Sequence, residues 1–140
     1  MSTILVNTLT GTSTAGSIAV TGEGNSTTTN LQQGLAKAWN RFVGTSVPTL
    51  LDSFNNSTAT DNGNGDYTFA FTNNMNNANY APHCGGGRDP ASAGTDGRIQ
   101  NPDQITTSNY VFNMAYLDAS AHVNYIDDGI GLSTVHGDLA

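Results

Sequence analysis

Tyr67, Phe69 and Phe71 alternate with smaller or polar residues, and this alternation constrains the fold more than any other feature of the sequence. Successive side chains of a β-strand point to opposite faces of a sheet, so a period of two places the three aromatic rings on one face. Large side chains recur at the same spacing between Tyr110 and Tyr116. The sequence therefore predicts strands that bury one face.

Composition argues against long surface helices. Only 11% of the 140 residues are charged, and the chain has one glutamate, Glu23, and one lysine, Lys37. Surface helices usually carry Glu and Lys pairs at i,i+4, whereas the abundant Thr, Asn, Ser and Gly suit strands and turns. We expect a mainly β protein: an antiparallel β-sandwich with an extended N-terminal arm and one short α-helix.

Charge and hydropathy exclude several partners. The formal net charge is −7, and Lys37, Arg41, Arg88 and Arg98 are scattered, so we expect no nucleic-acid partner. No apolar run approaches the length of a membrane span, so we expect no membrane insertion and a chain made and soluble in a cytoplasm. Cys84 is the only cysteine, which excludes an intrachain disulfide.

Residues 1–29 are predicted to form an extended arm for attachment or oligomerisation. Ile4, Val6, Ile18 and Val20 show strand-like alternation, but Thr, Ser and Gly fill the positions between them. A segment so poor in apolar residues cannot bury itself, and we expect it to lie against another chain or protein.

Residues 30–43 are predicted to form the one helix. Asn30 suits the N-cap and Gln33 completes the spacing of a capping box. A helical stripe and three small residues, Gly34, Ala36 and Ala38, would let three copies pack about a threefold axis as a homotrimer, or the stripe would pack on the sandwich of a monomer. The predicted oligomer contacts are Leu31, Gly34, Leu35, Ala38, Trp39 and Phe42.

Residues 49–140 are predicted to form a distal β-sandwich domain. The strand with Leu51 and Phe54 is expected to pair with the Tyr67 to Phe71 strand across the turn-forming residues 61–66. Further strands are expected at 121–126 and 132–136, and residues 83–104, with three consecutive glycines, are expected to form a long irregular loop.

No motif in the sequence assigns a catalytic, metal or cofactor site, and the alternatives left open are a calcium loop at 61–66 and a metal held by one histidine from each subunit of a symmetric ring. The acidic run 61–66 lacks the downstream glutamate of a calcium loop and is better explained as a turn. His83, Cys84, His122 and His136 lack metal-ligand spacing, and Cys84 lacks the local signature of a nucleophile. Three tyrosines are candidates for an exposed carbohydrate-binding surface, with core burial as the alternative: Tyr80, Tyr116 and Tyr125.

Three stretches of the sequence are distinctive motifs: TTTNLQQGLAKAW (27–39), SFNNSTATDNGNGDYTFAFTNNMNNANYA (53–81) and VHGDLA (135–140). They resemble small tail-fibre-like structural proteins of marine phages, especially those of cyanobacteria, over nearly the whole chain. The resemblance implies a virion appendage with a distal sandwich, bound to other virion proteins through its arm and assembled in the host cytoplasm.

Three functions follow as hypotheses. The first is a short fibre or fibre-tip subunit that adheres to the host surface, with a host glycan as a candidate partner. The second is a capsid decoration or knob protein on the phage head. The third is a polysaccharide-degrading enzyme, which the small size and the lack of two distinguished carboxylates disfavour.

Overall fold

The computed structural model describes residues 3–11, 18–21, 28–45, 47–87 and 98–137 of the chain. The chain divides into two compact units, Met1–Leu35 and Ala36–Ala140. In the first unit, residues 3–11 are exposed and have no helix or strand. The antiparallel strands β1 (Ala19–Thr21) and β2 (Thr28–Asn30) pair with each other, and the single-turn helix α1 (Leu31–Gly34) follows.

The second unit contains two antiparallel sheets. One has four strands in the order β4-β3-β11-β7: β3 (Ala36–Val43), β4 (Thr49–Phe54), β7 (Ala81–Gly87) and β11 (Ile130–His136). The other has five: β5 (Asn56–Gly63), β6 (Asp66–Phe71), β8 (Arg98–Ile105), β9 (Asn109–Leu117) and β10 (Val123–Tyr125). In it, β9 pairs with β6 and β10 along one side and with β8 along the other.

Aromatic side chains from both sheets form the core of this unit. Phe42 of β3 meets Tyr67, Phe69 and Phe112 edge-on, with ring centroids 5.1, 4.8 and 6.0 Å away. Gly131, the β11 neighbour of Phe42, makes room for the ring, because a Cβ there would lie 1.9 Å from Phe42 Cε1. The arrangement is the antiparallel sandwich that the sequence predicts.

The alternation in β6 is confirmed. Tyr67, Phe69 and Phe71 are all buried and contribute their rings to one core cluster. The predicted turn after residue 61 also forms, but its pairing differs from the expectation. β6 pairs with β5, whereas β4, which carries Leu51 and Phe54, pairs with β3 in the other sheet.

The helix predicted over residues 30–43 is wrong beyond its first turn. α1 ends at Gly34, and Ala36–Val43 is a strand flanked by β4 and β11. Ala38, Asn40 and Phe42 point inward and Trp39 and Arg41 are exposed, so the same residues satisfy a period of two. β4 pairs with Trp39 to Val43 and β11 pairs with most of the strand, and these neighbours outweigh a weak helical preference. The sandwich consequently begins at Ala36 rather than at residue 49.

The long irregular loop predicted over residues 83–104 is also largely wrong. β7 and β8 cover most of it, and residues 88–97 lie outside the described part of the chain. Pro82 and Pro102 are tolerated because β7 and β8 each pair on one side only. The strands expected at 121–126 and 132–136 are present as the shorter β10 and as β11.

No helix in the described ranges is long and apolar enough to cross a membrane.

Candidate binding face

The outer face of the four-stranded sheet carries exposed aromatic rings. Phe54, Trp39, Thr134 and His83 are successive cross-strand neighbours on β4, β3, β11 and β7. Trp39 is 39% exposed and Phe54 50% exposed, although both are large enough to fill a core. An aromatic side chain left in solvent in the middle of a sheet is the kind of apolar surface that marks a binding site.

A groove of about 420 Å³ lies beside Trp39. The next row of cross-strand neighbours, Arg41, Leu132 and Gly85, lines it together with His83 and Thr134. Gly85 leaves the groove open, because a Cβ built on it would have no atom within 4 Å. The volume falls in the range of about 300–1,000 Å³ that is usual for small-ligand sites.

A buried polar network lies on the core side of the four-stranded sheet and connects it to the opposite sheet. Asn40 Nδ2 donates to Asn56 Oδ1 at 3.1 Å and to the Tyr110 hydroxyl at 3.0 Å, and that hydroxyl also shares a hydrogen bond with Ser133. Asn40 and Ser133 belong to β3 and β11, whereas Asn56 and Tyr110 belong to the opposite sheet. These bonds fix the two central strands of the binding face relative to the core.

The charge on this face differs from that of the chain as a whole. Arg41, His83 and His136 lie on it, and Asp52, the cross-strand neighbour of Arg41, is the acidic group beside them. Arg41 is exposed and, within the described part of the chain, its guanidinium forms no ion pair within 4.0 Å. The groove therefore offers a cation in a protein whose net charge is −7.

The environment of Cys84 argues against nucleophilic catalysis. Burial raises the pKa of the Cys84 thiol to about 12, so the thiolate is scarce at neutral pH. Its cross-strand neighbour is Ser133, which is buried, and within the described residues no histidine donates to or accepts from the sulfur.

The candidate metal ligands are used in other ways. His122 Nδ1 lies 3.3 Å from Asp118 Oδ2 on an exposed turn, and His136 Nε2 lies 3.3 Å from Thr134 Oγ1. Across the described ranges, no three His, Cys, Asp or Glu residues are grouped to hold a metal ion.

The acidic run after residue 61 forms a hydrogen-bonded turn. Asp61 Oδ1 accepts from the backbone N–H of Gly63 at 2.9 Å, and Asp66 Oδ1 accepts from Asn62 Nδ2 at 3.1 Å. Gly65 adopts a φ of 68°, and a Cβ there would lie 2.3 Å from the Met114 carbonyl oxygen. This geometry explains the run as a turn.

The tyrosine candidates are dispersed. Tyr80 is buried in the core, where its hydroxyl donates to the Thr106 and Asn109 carbonyls at 2.8 Å. Tyr116 is half-buried on β9, and Tyr125 is exposed on β10.

The predicted oligomer contacts do not form one stripe. Leu31, Gly34 and Leu35 belong to the N-terminal unit, while Ala38 and Phe42 are fully buried in the sandwich core. Trp39 alone of the sandwich members is exposed, on the binding face. Sequence reasoning missed this face because it placed Trp39 on a helix. The signal that would have found it is Trp39 and Arg41 alternating with Ala38, Asn40 and Phe42.

Comparisons with protein-family models, curated proteins and solved structures give no match.

Proposed function

We propose that this protein is an adhesive structural subunit of a phage virion, a short fibre or fibre tip that contacts the host surface. The observation that carries the proposal is the exposed aromatic face of the sandwich, where a groove lies beside Arg41, a cation that forms no ion pair within the described residues. Adhesion needs such a surface and needs no reacting group. The resemblance in residues 27–39 and 53–81 supports the same class.

The N-terminal unit supports attachment to other proteins. Its described residues include large apolar side chains that are at least half exposed: Ile4, Leu5, Val6, Leu9 and Val20. Such side chains are stabilised when another surface covers them. We therefore propose that this unit attaches the chain to other virion proteins when the particle is assembled in the host cytoplasm.

A homotrimer is part of the proposal, with its contacts in the N-terminal unit rather than along a helix through residue 43. Three linked copies would raise the avidity of a weak surface site. Light scattering on the purified chain is expected to give three times the 14.6 kDa chain mass. A mass of one chain at micromolar concentration would contradict the trimer.

Truncation separates attachment from folding. A chain that begins at Ala36 retains the unit with both sheets, and we expect it to stay folded but to be absent from particles assembled in its presence. The full chain supplied in the same way is the control. Normal incorporation of the truncated chain would contradict the attachment role of residues 1–35.

A capsid decoration protein is the second candidate, because a chain of two compact units, one of them proposed to attach, suits the head as well as the tail. Electron microscopy of particles labelled with an antibody against residues 36–140 distinguishes the two. Label at the tail is expected for the fibre, and label over the head would replace it with decoration.

A further inference from the structure

We propose that the groove beside Trp39 binds an acidic saccharide, with one pyranose ring lying on the indole and its carboxylate facing Arg41. The inference deepens the adhesive role proposed above and rests on it for its biological setting. The binding itself is a property of the purified chain.

The shape and lining of the groove suit a flat ring. The face of an aromatic ring carries negative potential, which attracts the C–H groups on the apolar side of a pyranose. Trp39 provides that face, and Gly85 opposite Leu132 leaves the sheet surface low enough for a ring to approach. The groove of about 420 Å³ accommodates one or two sugar units.

The exposed surface of the groove is mainly apolar, and three of its lining residues carry the polar groups available to a sugar. Thr134 offers a hydroxyl, His83 an imidazole and Arg41 a planar guanidinium, all lining the same groove. A guanidinium binds a carboxylate through two parallel N–H···O bonds, which a neutral hydroxyl cannot reproduce. Since Arg41 has no ion pair within the described residues, an acidic substituent has a free cation to bind.

Two other occupants fit the face less well. An extended peptide that adds a strand needs a free sheet edge, but β3 and β11 are interior strands whose backbone is paired on both sides. A second copy packed face to face about a twofold axis would bring Arg41 and the nearby histidines of one chain toward the same groups of the other. An acidic saccharide has the complementary charge and a smaller footprint.

The test uses the intrinsic fluorescence of Trp39, which is the only tryptophan in the chain. Purified full-length protein is titrated with tetragalacturonic acid and, separately, with a neutral galactose tetrasaccharide. We expect a saturable change in Trp39 fluorescence with the acidic oligomer and at least about tenfold weaker binding of the neutral one. No saturable change, or equal affinity for both, would overturn the proposal.

Matched variants locate the site. Gly85→Val fills the groove and is expected to abolish binding. Gly87→Val, on the same face of β7, is expected to bind normally, because a Cβ there makes ordinary van der Waals contact with Ile130 at 3.7 Å. Arg41→Gln is a second test that stays usable if either valine variant unfolds, because Arg41 is exposed and the substitution should preserve the fold. We expect it to lower the affinity for the acidic oligomer about tenfold. Unchanged affinity in Gly85→Val or Arg41→Gln would overturn the assignment.

Light scattering during the titration tests the second-copy alternative. A constant mass is expected while the fluorescence changes. If fluorescence follows protein concentration and mass instead of the saccharide, the face is a chain–chain contact and the proposal is wrong. A negative result for saccharide binding would not contradict the proposed virion role, because incorporation into particles is measured without the saccharide.

Discussion

The hydroxyl of Tyr67 donates a 2.7 Å hydrogen bond to Asp127 Oδ1, which also accepts the backbone N–H of Gly65 at 2.7 Å. This carboxylate joins β6 and its turn to the segment that leads into β11, and so connects the two sheets at one end of the sandwich. Asn64 reinforces the connection, because its Oδ1 accepts the backbone N–H of Asp127 at 3.2 Å.

We expect Asp127→Ala to lower the free energy of unfolding by about 2–4 kcal/mol, because it removes the acceptor of two hydrogen bonds, one of them from a buried hydroxyl. Urea denaturation measures the change. Asp103→Ala, at an exposed position of β8, is the control and should stay within about 0.5 kcal/mol of the parent. Equal stability of the two variants would contradict the connecting role of Asp127.

Asn55 switches the chain from one sheet to the other. It has a φ of 56° and lies between the end of β4 and the start of β5. Its Nδ2 donates to the Lys37 and Asn73 carbonyls at 3.1 Å, and its Oδ1 accepts the Asn73 N–H at 2.7 Å. Asparagine combines tolerance of the left-handed region with these contacts.

We expect Asn55→Ala to cost about 2–4 kcal/mol from lost hydrogen bonds and an unfavourable φ. Asn55→Gly removes the same hydrogen bonds but relieves the backbone, so it should recover about 1 kcal/mol of that loss. Thermal denaturation compares the two with Asn74→Ala, an exposed control. An alanine variant as stable as the glycine variant would show that φ contributes nothing.

The buried face of β6 gives a stability prediction with a matched pair. Phe69 is fully buried, and Phe69→Ala should cost about 3–5 kcal/mol, enough to unfold a small domain. Phe54→Ala removes the same ring from a half-exposed position and should cost much less. Similar melting temperatures for the two variants would contradict the assignment of faces.

Buried tyrosines predict alkaline destabilisation. Burial raises the pKa of Tyr80 to about 12, and burial, followed by the hydrogen bond to Asp127, raises the pKa of Tyr67. Burial also raises the pKa of Tyr110. Below about pH 10, tyrosines are protonated in both the folded and the unfolded chain, so they do not make the free energy of unfolding depend on pH. Above it the unfolded chain ionises first, so these groups favour unfolding as pH rises toward and beyond 12.

Urea midpoints measured from pH 8 to pH 11.5 check this direction. We expect them to fall above about pH 10, and Tyr80→Phe should reduce the slope relative to the parent. A midpoint that is flat or rises across this range would contradict the buried state of these hydroxyls.

Sequence patterns predicted the fold class because large side chains recur at a period of two in β6 and β9. This period is typical of β-strands that bury one face. They failed for residues 36–43, since Ala38, Trp39 and Phe42 fit a helical stripe as well as a strand, and only pairing with β4 and β11 decides between them. They failed for Gly85 to Gly87 as well, because glycine usually disfavours strands. There, Gly86 lets the end of the Met114 side chain approach the strand, because a Cβ would lie 2.5 Å from Met114 Cε and the methionine would have to shift.

The binding face could not be predicted for the same reason. Trp39 and Gly85 are distant in sequence and become neighbours of one groove only through the order β3-β11-β7. Single-sequence patterns give the faces of a strand but not which strands adjoin it.

The virion role proposed above is checked by mass spectrometry of purified particles. Trypsin cleaves after Arg41, Arg88 and Arg98, which releases peptides 42–88 and 99–140. We predict both peptides in density-gradient-purified particles, at a constant ratio to the major capsid protein after a high-salt wash. Peptides confined to the soluble fraction of the lysate would contradict the account.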